Sequence, residues 1–494
     1  VEEPTRLQVR FDEVLWEDGN VNASRLGCQA YIIYELQPGD YTIESFEPYT
    51  MQYVQTEVES GKCTVEGIYM RDYCNSDVDR ATFVSANEDL NRLFEVARET
   101  FRQNAVDLFT DCPSRERAAW LCDSFFTSRV EKTLTGASAV ERCFLENFLL
   151  PESFKCLPEG MLPMCYPSDH NDGVYIPNWA MWFVLELEEY LHRSGDRELV
   201  DRAKTRVYEL VDYFKPFLNE DGLLEKLSRW VFVEWSAANS LVQDVNYPSN
   251  MLYAKMLEVI GRLYDDQALT QQAAQVRKAI VEQSYDGEFF VDNAVRGKGG
   301  KLEVTRNRTE TCQYYAFYLG TATPQSHPEL WAKMMNEFGP VRQTSKAYPE
   351  IHPSNAFIGN YLRMELLSSE GRSKQILEEN QSYYLPMARQ TGTLWENMTT
   401  SASCNHGFAA HMARVLYRDV LGVYDISPTE KKVTLRFTDC GLKHCKGSIP
   451  VGNESVDVEW TMQDGQMDVS LKLPQGYTYE HTSPGLSSCT ITTK

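Results

Sequence analysis

At 494 residues the chain has room for about three domains, or for one large helical domain with smaller attachments. Its 71 acidic and 48 basic residues leave a net charge of −23, which argues against nucleic acid and anionic membranes as main partners, since phosphate recognition needs a basic surface. No apolar run approaches the roughly 18 residues of a membrane span, so membrane insertion is not expected.

The chain opens with period-two stretches, RLQVRFDEVLW, AYIIYELQPGDYTIESF, QYVQTEVES and CTVEGIYMRD, broken by the turn runs EDGN, PGD and SGK. They predict short antiparallel strands and a β-sandwich region over 1–84, closed by CNSDVD. At Ser85 the period changes. SANEDLNRLFEVARETFRQNAVDLF offers Ser85 or Asn87 as a cap and then sets Leu90, Leu93, Phe94 and Val96 at helical spacing. Helical patterns continue to about 424, paired across SGD, NEDG and YDD. Roughly ten to twelve helices without a fixed sequence repeat predict a closed (α/α)6 ring of six hairpins over 85–424. Beyond SPTEKK the alternation returns in KVTLRFT, SVDVEWTMQD, MDVSLKLP and CTITTK, predicting a small C-terminal β-sandwich over 425–494. The expected fold is thus mainly α, a toroid between two β regions.

The 13 cysteines are odd in number and scattered, and the nearest pairs, Cys440/Cys445 and Cys156/Cys165, lack the C-x-x-C spacing of a zinc site. Buried free thiols are expected, and the compartment stays open. No residue cluster suggests a metal or a cofactor. Val1 is not an initiator Met, which fits a mature form or an excised piece. Aromatic residues reach 12%, enough to line a sugar cleft as well as a core.

The densest chemistry is DCPSRERAAWLCDS at 111–124, with Asp111, Arg115, Glu116, Arg117 and Asp123 around Pro113 and Trp120. One reading is an N-capped helix with solvated charges. If a helix runs on from Pro113, however, Glu116, Trp120 and Asp123 share one face, and a solvent stripe seldom holds a Trp between two carboxylates. A concave, partly dry face is the other reading.

This stretch resembles the signature of glycoside hydrolase family 78, the α-L-rhamnosidases, in which Asp-Cys-Pro leads to a Glu and then to Gly-Trp-x-Gly-Asp. Asp111, Cys112, Pro113, Arg115, Glu116, Trp120 and Asp123 match; Ala119 and Cys122 stand where the pattern has Gly. The resemblance implies an inverting hydrolase without a metal, acting on a rhamnose-containing plant or bacterial glycan or glycoside. It makes Glu116 the general acid and sets Asp111, Arg115, Trp120 and Asp123 around the sugar. The charges of Asp111 and Asp123 would help keep Glu116 protonated.

Such a hydrolase needs a second carboxylate. In TGTLWENMTTSASCNHGFAAHM, at 391–412, Glu396 follows Trp395 in a Gly-bearing loop and His406 begins a helix. The family is similar here, which implies Glu396 as general base and His406 as a sugar contact. Trp179 in DGVYIPNWAMWF and Trp235 in FVEWSAANS are carried over as cleft aromatics, with core packing as the alternative. Asp172 and Glu234 are weaker polar candidates from the same segments, and Trp182 reads as core. The resemblance further implies N-terminal modules outside this sequence. A toroid glycosidase for another sugar and a non-catalytic carbohydrate-binding protein are the competing readings.

Overall fold

A computed structural model describes the chain at every residue except 169 and 171, and every side chain except those of 356 and 357. Three antiparallel strands come first: β1 (Glu3–Asp12) lies between β2 (Tyr31–Leu36) and β3 (Tyr53–Lys62). The strand expected at CTVEGIYMRD does not form, and its residues lie mostly exposed. Both edges of β1 are already taken, and Gly61 ends the ladder with φ +85, where a Cβ would stand 2.3 Å from the Pro4 carbonyl oxygen. Strand β4 (Thr82–Ser85) joins the other end of the chain, pairing with residues 445–448 of strand His444–Val451. The sequence boundary at 84 therefore cuts a strand that belongs to the C-terminal sheet.

Helix α1 (Glu88–Asn104) is capped by Asn87, whose side chain accepts from the amides of Asp89 and Leu90. It is one of an outer set with α3 (Ala139–Asn147), α5 (Arg197–Phe214), α7 (Gln267–Ser284), α9 (Pro328–Glu337) and α12 (Ser373–Gln390). The inner set is α2 (Asp123–Thr135), α4 (Pro177–Ser194), α6 (Tyr247–Tyr264), α8 (Glu310–Tyr318), α11 (Tyr361–Ser369) and α13 (Met412–Leu416), with the short α10 (Pro340–Ser345) in a connection. Composition separates the sets. In α4 every residue from Pro177 to Leu187 is buried, whereas α1 buries one stripe through Leu90, Leu93, Phe94, Ala97 and Phe101. A helix apolar all round must sit inside, and an amphipathic one covers it.

Inner helices pack in sequence, α2 on α4, α4 on α6, α6 on α8 and α8 on α11, while α13 returns to α2. Tyr361 at the start of α11 meets His411 just ahead of α13, ring centroids 4.5 Å apart, closing the ring. Because inner and outer helices alternate, the inner helices run parallel and their N-termini open on one mouth. The C-terminal strands form two sheets, and Trp460 ties them to the ring by donating its indole N–H to the Val420 carbonyl at 3.1 Å. All thirteen thiols are free. Among the described residues, no helix is long and apolar enough to cross a membrane.

Candidate active site

The 111–124 segment does not continue as a helix from Pro113. Helix α2 begins only at Asp123, and residues 112–122 form a loop. Arg117 and Cys122 hold positive φ, 53° and 71°, which ends any right-handed helix. The loop pairs sideways instead: Leu121 N–H donates to Met164 O at 2.9 Å and Tyr166 N–H to Ala119 O at 3.1 Å. The φ at Cys122 also accounts for glycine being at ease there. Its side chain and that of Ala119 are fully buried, so neither crowds the mouth.

Asp111 organises this loop from within. One carboxylate oxygen accepts the Ala118 N–H at 3.0 Å and the other the Cys112 thiol at 2.7 Å. Burial and the nearby Glu116 charge push its pKa from the ordinary 3.8 up to about 7. Asp123, in the first turn of α2, is raised well above the carboxylate range by burial and by Asp111, Glu396 and Glu116. Both aspartates thus tend to hold protons, which corrects the expectation that their charge keeps Glu116 protonated.

The second loop approaches from the far end of the sequence. Glu396 N–H donates to Ser403 O at 3.1 Å, and Ser403 N–H returns to the Glu396 carboxylate at 3.3 Å, folding 396–403 into a compact turn. Arg115 joins the loops. One Nη lies 2.7 Å from Glu116, the other 3.3 Å from Glu396, and Nε donates to Ser403 Oγ at 3.2 Å. Two carboxylates 280 residues apart therefore share a single guanidinium, each with part of its side chain in solvent, 29% and 14% exposed.

His406 caps the 3-10 turn Gly407–His411 by position but not through its side chain. Its Nδ1 lies 3.9 Å from Asp123, and burial together with Arg115 lowers its pKa to about 3, so the imidazole is neutral at ordinary pH. Trp120 stands beside the loop with its ring 5.4 Å from His170, and its indole N–H has no hydrogen-bond partner among the described residues.

The two cleft tryptophans differ. Trp179 lies in the first turn of α4, is 3% exposed and packs edge-on against Phe232 at 4.6 Å. Trp235 lies on the other side of Phe232 at 4.8 Å, in the loop leading to α6, and is 44% exposed. Phe232 and Trp230, 5.8 Å from Trp235, complete an aromatic stack that the sequence reading left out. Asp172 is exposed and closes a turn by accepting from Val174 N–H. Glu234 is fully buried and accepts from Asn355 N–H, Gly359 N–H and the Thr311 hydroxyl. These bonds tie it to the backbone at the entrance to α11. Ser403 was also missed; it is a plain serine in a Ser/Thr-rich loop, and only the fold brings it to Arg115.

Six helical hairpins closed into a ring, with carboxylates gathered at the mouth, define a six-hairpin glycosidase fold. A family model described as the bacterial α-L-rhamnosidase six-hairpin glycosidase domain matches residues 79–420, and the chain belongs to that family. An α-L-rhamnosidase of Alteromonas sp. (strain LOR) is 22% identical over 462 residues, covering 86% of this chain and 47% of that protein. The family 78 rhamnosidase of Bacillus sp. GL1 superimposes with a TM-score of 0.87 at 19% identity, covering 99% of this chain and 52% of that one. The Streptomyces avermitilis α-L-rhamnosidase, solved in complex with L-rhamnose, gives a TM-score of 0.73 at 16% identity, covering 97% and 46%. The chain thus spans about half the length of these relatives.

Proposed function

We propose that the acid-lined mouth hydrolyses terminal α-L-rhamnosides with inversion, Glu116 serving as general acid and Glu396 as general base. The observation that carries this reading is the guanidinium of Arg115, with one carboxylate on each side at 2.7 and 3.3 Å. Carboxylates held in this way face one space, on a scale that admits the roughly 6.5–9.5 Å gap of an inverting pair and its water.

Protonation follows from the charge balance. Burial and neighbouring acids raise the pKa of Asp111 and Asp123, so these two aspartates hold protons toward neutral pH beside the Glu116–Glu396 pair. Glu116 passes a proton to the glycosidic oxygen as the bond to the anomeric carbon breaks. On the opposite face Glu396 takes a proton from the attacking water. The products are the freed alcohol and rhamnose of inverted anomeric configuration. Asp111, Asp123 and neutral His406 present polar groups to the sugar hydroxyls, while Trp120 and Trp235 offer ring faces to its apolar side. These steps use no metal or cofactor.

The test is turnover of a panel of p-nitrophenyl glycosides, with the first-formed sugar followed by NMR. Hydrolysis of the α-L-rhamnoside with the β-anomer appearing first supports the reading. Turnover of a different sugar instead, or first release of the α-anomer, overturns it.

A further inference from the structure

The proposed chemistry needs two loops held in register, although Arg115 and Glu396 are 281 positions apart. One carboxylate outside the ring touches both loops. Glu13, the residue after strand β1, is 4% exposed. It accepts the Ser114 hydroxyl on one oxygen at 2.9 Å and the Cys404 backbone N–H on the other at 2.9 Å. Ser114 directly precedes Arg115, and Cys404 directly follows Ser403. Each end of this bridge is therefore one residue from the Arg115–Ser403 contact that joins the loops.

Arg25, from the same N-terminal region, completes the clamp. It pairs with Glu13 and with Asp12, the latter at 2.8 Å, and donates to the carbonyls of Thr400 and Ala402 at 3.0 and 2.9 Å. The carbonyls of a loop that carries Glu396 are thus fixed by a cation from the connection between β1 and β2. A loop this rich in Ser and Thr has little apolar surface to hold it otherwise.

Resting on the reading of Glu116 and Glu396 given above, we propose that Glu13, held by Arg25, is a positioning residue: it sets the distance between the acid-bearing and base-bearing loops from outside the ring. An N-terminal strand end thereby tunes a reaction whose reacting groups it does not touch. Displacement by about 1 Å at such a site is worth up to 10²-fold in rate.

Two readouts on the intact chain test this, one independent of turnover. In Glu13→Ala, hydrogen–deuterium exchange rises together in 111–117 and 395–404, and kcat on an aryl α-L-rhamnoside falls about 10–100-fold with KM within about twofold. Glu13→Gln, which keeps an oxygen for Cys404 and a polar group for Ser114, recovers most of the exchange protection and of kcat. Should Glu13→Ala fail to fold, Ser114→Ala removes only the hydroxyl and is expected to lower kcat about 3–10-fold with an unchanged melting temperature. Faster exchange confined to residues 10–30, or unchanged kcat in the folded variants beside an active wild type, overturns the proposal. Wild-type protein inactive on rhamnosides but coupled in exchange across both loops contradicts the functional reading and leaves the clamp standing.

Discussion

The two ends of the ring contain the same kinds of charged residue and balance them in opposite ways. At the mouth formed by inner-helix N-termini, Asp111, Glu116 and Glu396 lie about Arg115 with Asp123 beside them, and both Asp111 and Asp123 rise above the carboxylate range. At the other end, beneath the C-terminal strands, a cavity of about 610 Å³ is lined by Arg129, Arg193 and Arg418 with Glu189 and Glu365. Burial pushes Glu189 up, but Arg129 and Arg193 outweigh it and bring its pKa down to about 2. Glu365 is likewise lowered against burial by Arg418, Arg414 and Arg129. At this end, then, Glu189 and Glu365 are held as carboxylates by the guanidiniums around them and have no proton to give. Chemistry belongs where acids outnumber cations.

The comparison predicts different losses at the two ends. Largest is the effect at the acidic mouth. Glu116→Gln and Glu396→Gln are each expected to lower kcat by about 10²–10⁴-fold while free rhamnose still binds, as steady-state kinetics and calorimetry would show. Full activity in either variant would make that mouth no more catalytic than the other. At the paired end, Glu365→Ala takes a shared carboxylate from Arg129, Arg414 and Arg418, of which Arg129 keeps Glu189 and Arg418 keeps Asp419, and is expected to cost about 3–5 kcal/mol in denaturant unfolding, with KM unaltered. A changed KM with unchanged stability would reverse the assignment of the two ends.

The aromatic stack sharpens the contrast on a smaller scale. Trp179→Ala empties a buried position and is expected to cost about 3 kcal/mol or more, read as a lower melting temperature. Trp235→Ala removes an exposed ring, so the expected change is a KM raised a few-fold at constant melting temperature. Equal effects from the two would mean that exposure does not separate wall from core here.

The last prediction concerns pH. Asp111 binds its proton more tightly folded than unfolded, with a pKa of about 7 against an ordinary 3.8. Between those values the folded state carries the extra proton, so stability falls as pH rises through the window. Relative to Asp111→Asn, the wild type should lose stability from pH 4 to pH 7 by up to about 1.4 kcal/mol per unit. Parallel profiles for the two proteins would show that Asp111 does not titrate there.

Much of this was legible in the sequence because helices report their own surroundings. The all-round apolarity of Pro177–Leu187 and the single stripe of α1 assign inner and outer positions without coordinates. Period-two alternation likewise marked β1, β2 and β3, but it also marked CTVEGIYMRD, since alternation records a tendency and a strand needs a free edge to pair with. The motif around Glu116 was readable as composition and misread as geometry. Positive φ at Arg117 and Cys122, and the pairing with 164–166, depend on chain that local spacing does not sense. Ser403, Phe232 and Glu13 were hidden for the same reason: each is ordinary in its own segment and acquires meaning from a partner far along the chain.

The most direct test of the central claim is a crystal structure of the Glu116→Gln variant with an aryl α-L-rhamnoside bound. The expected result places the anomeric carbon between residue 116, on the side of the leaving oxygen, and Glu396, on the side of an ordered water. A sugar seated elsewhere, or one whose anomeric carbon faces neither side chain, would contradict it.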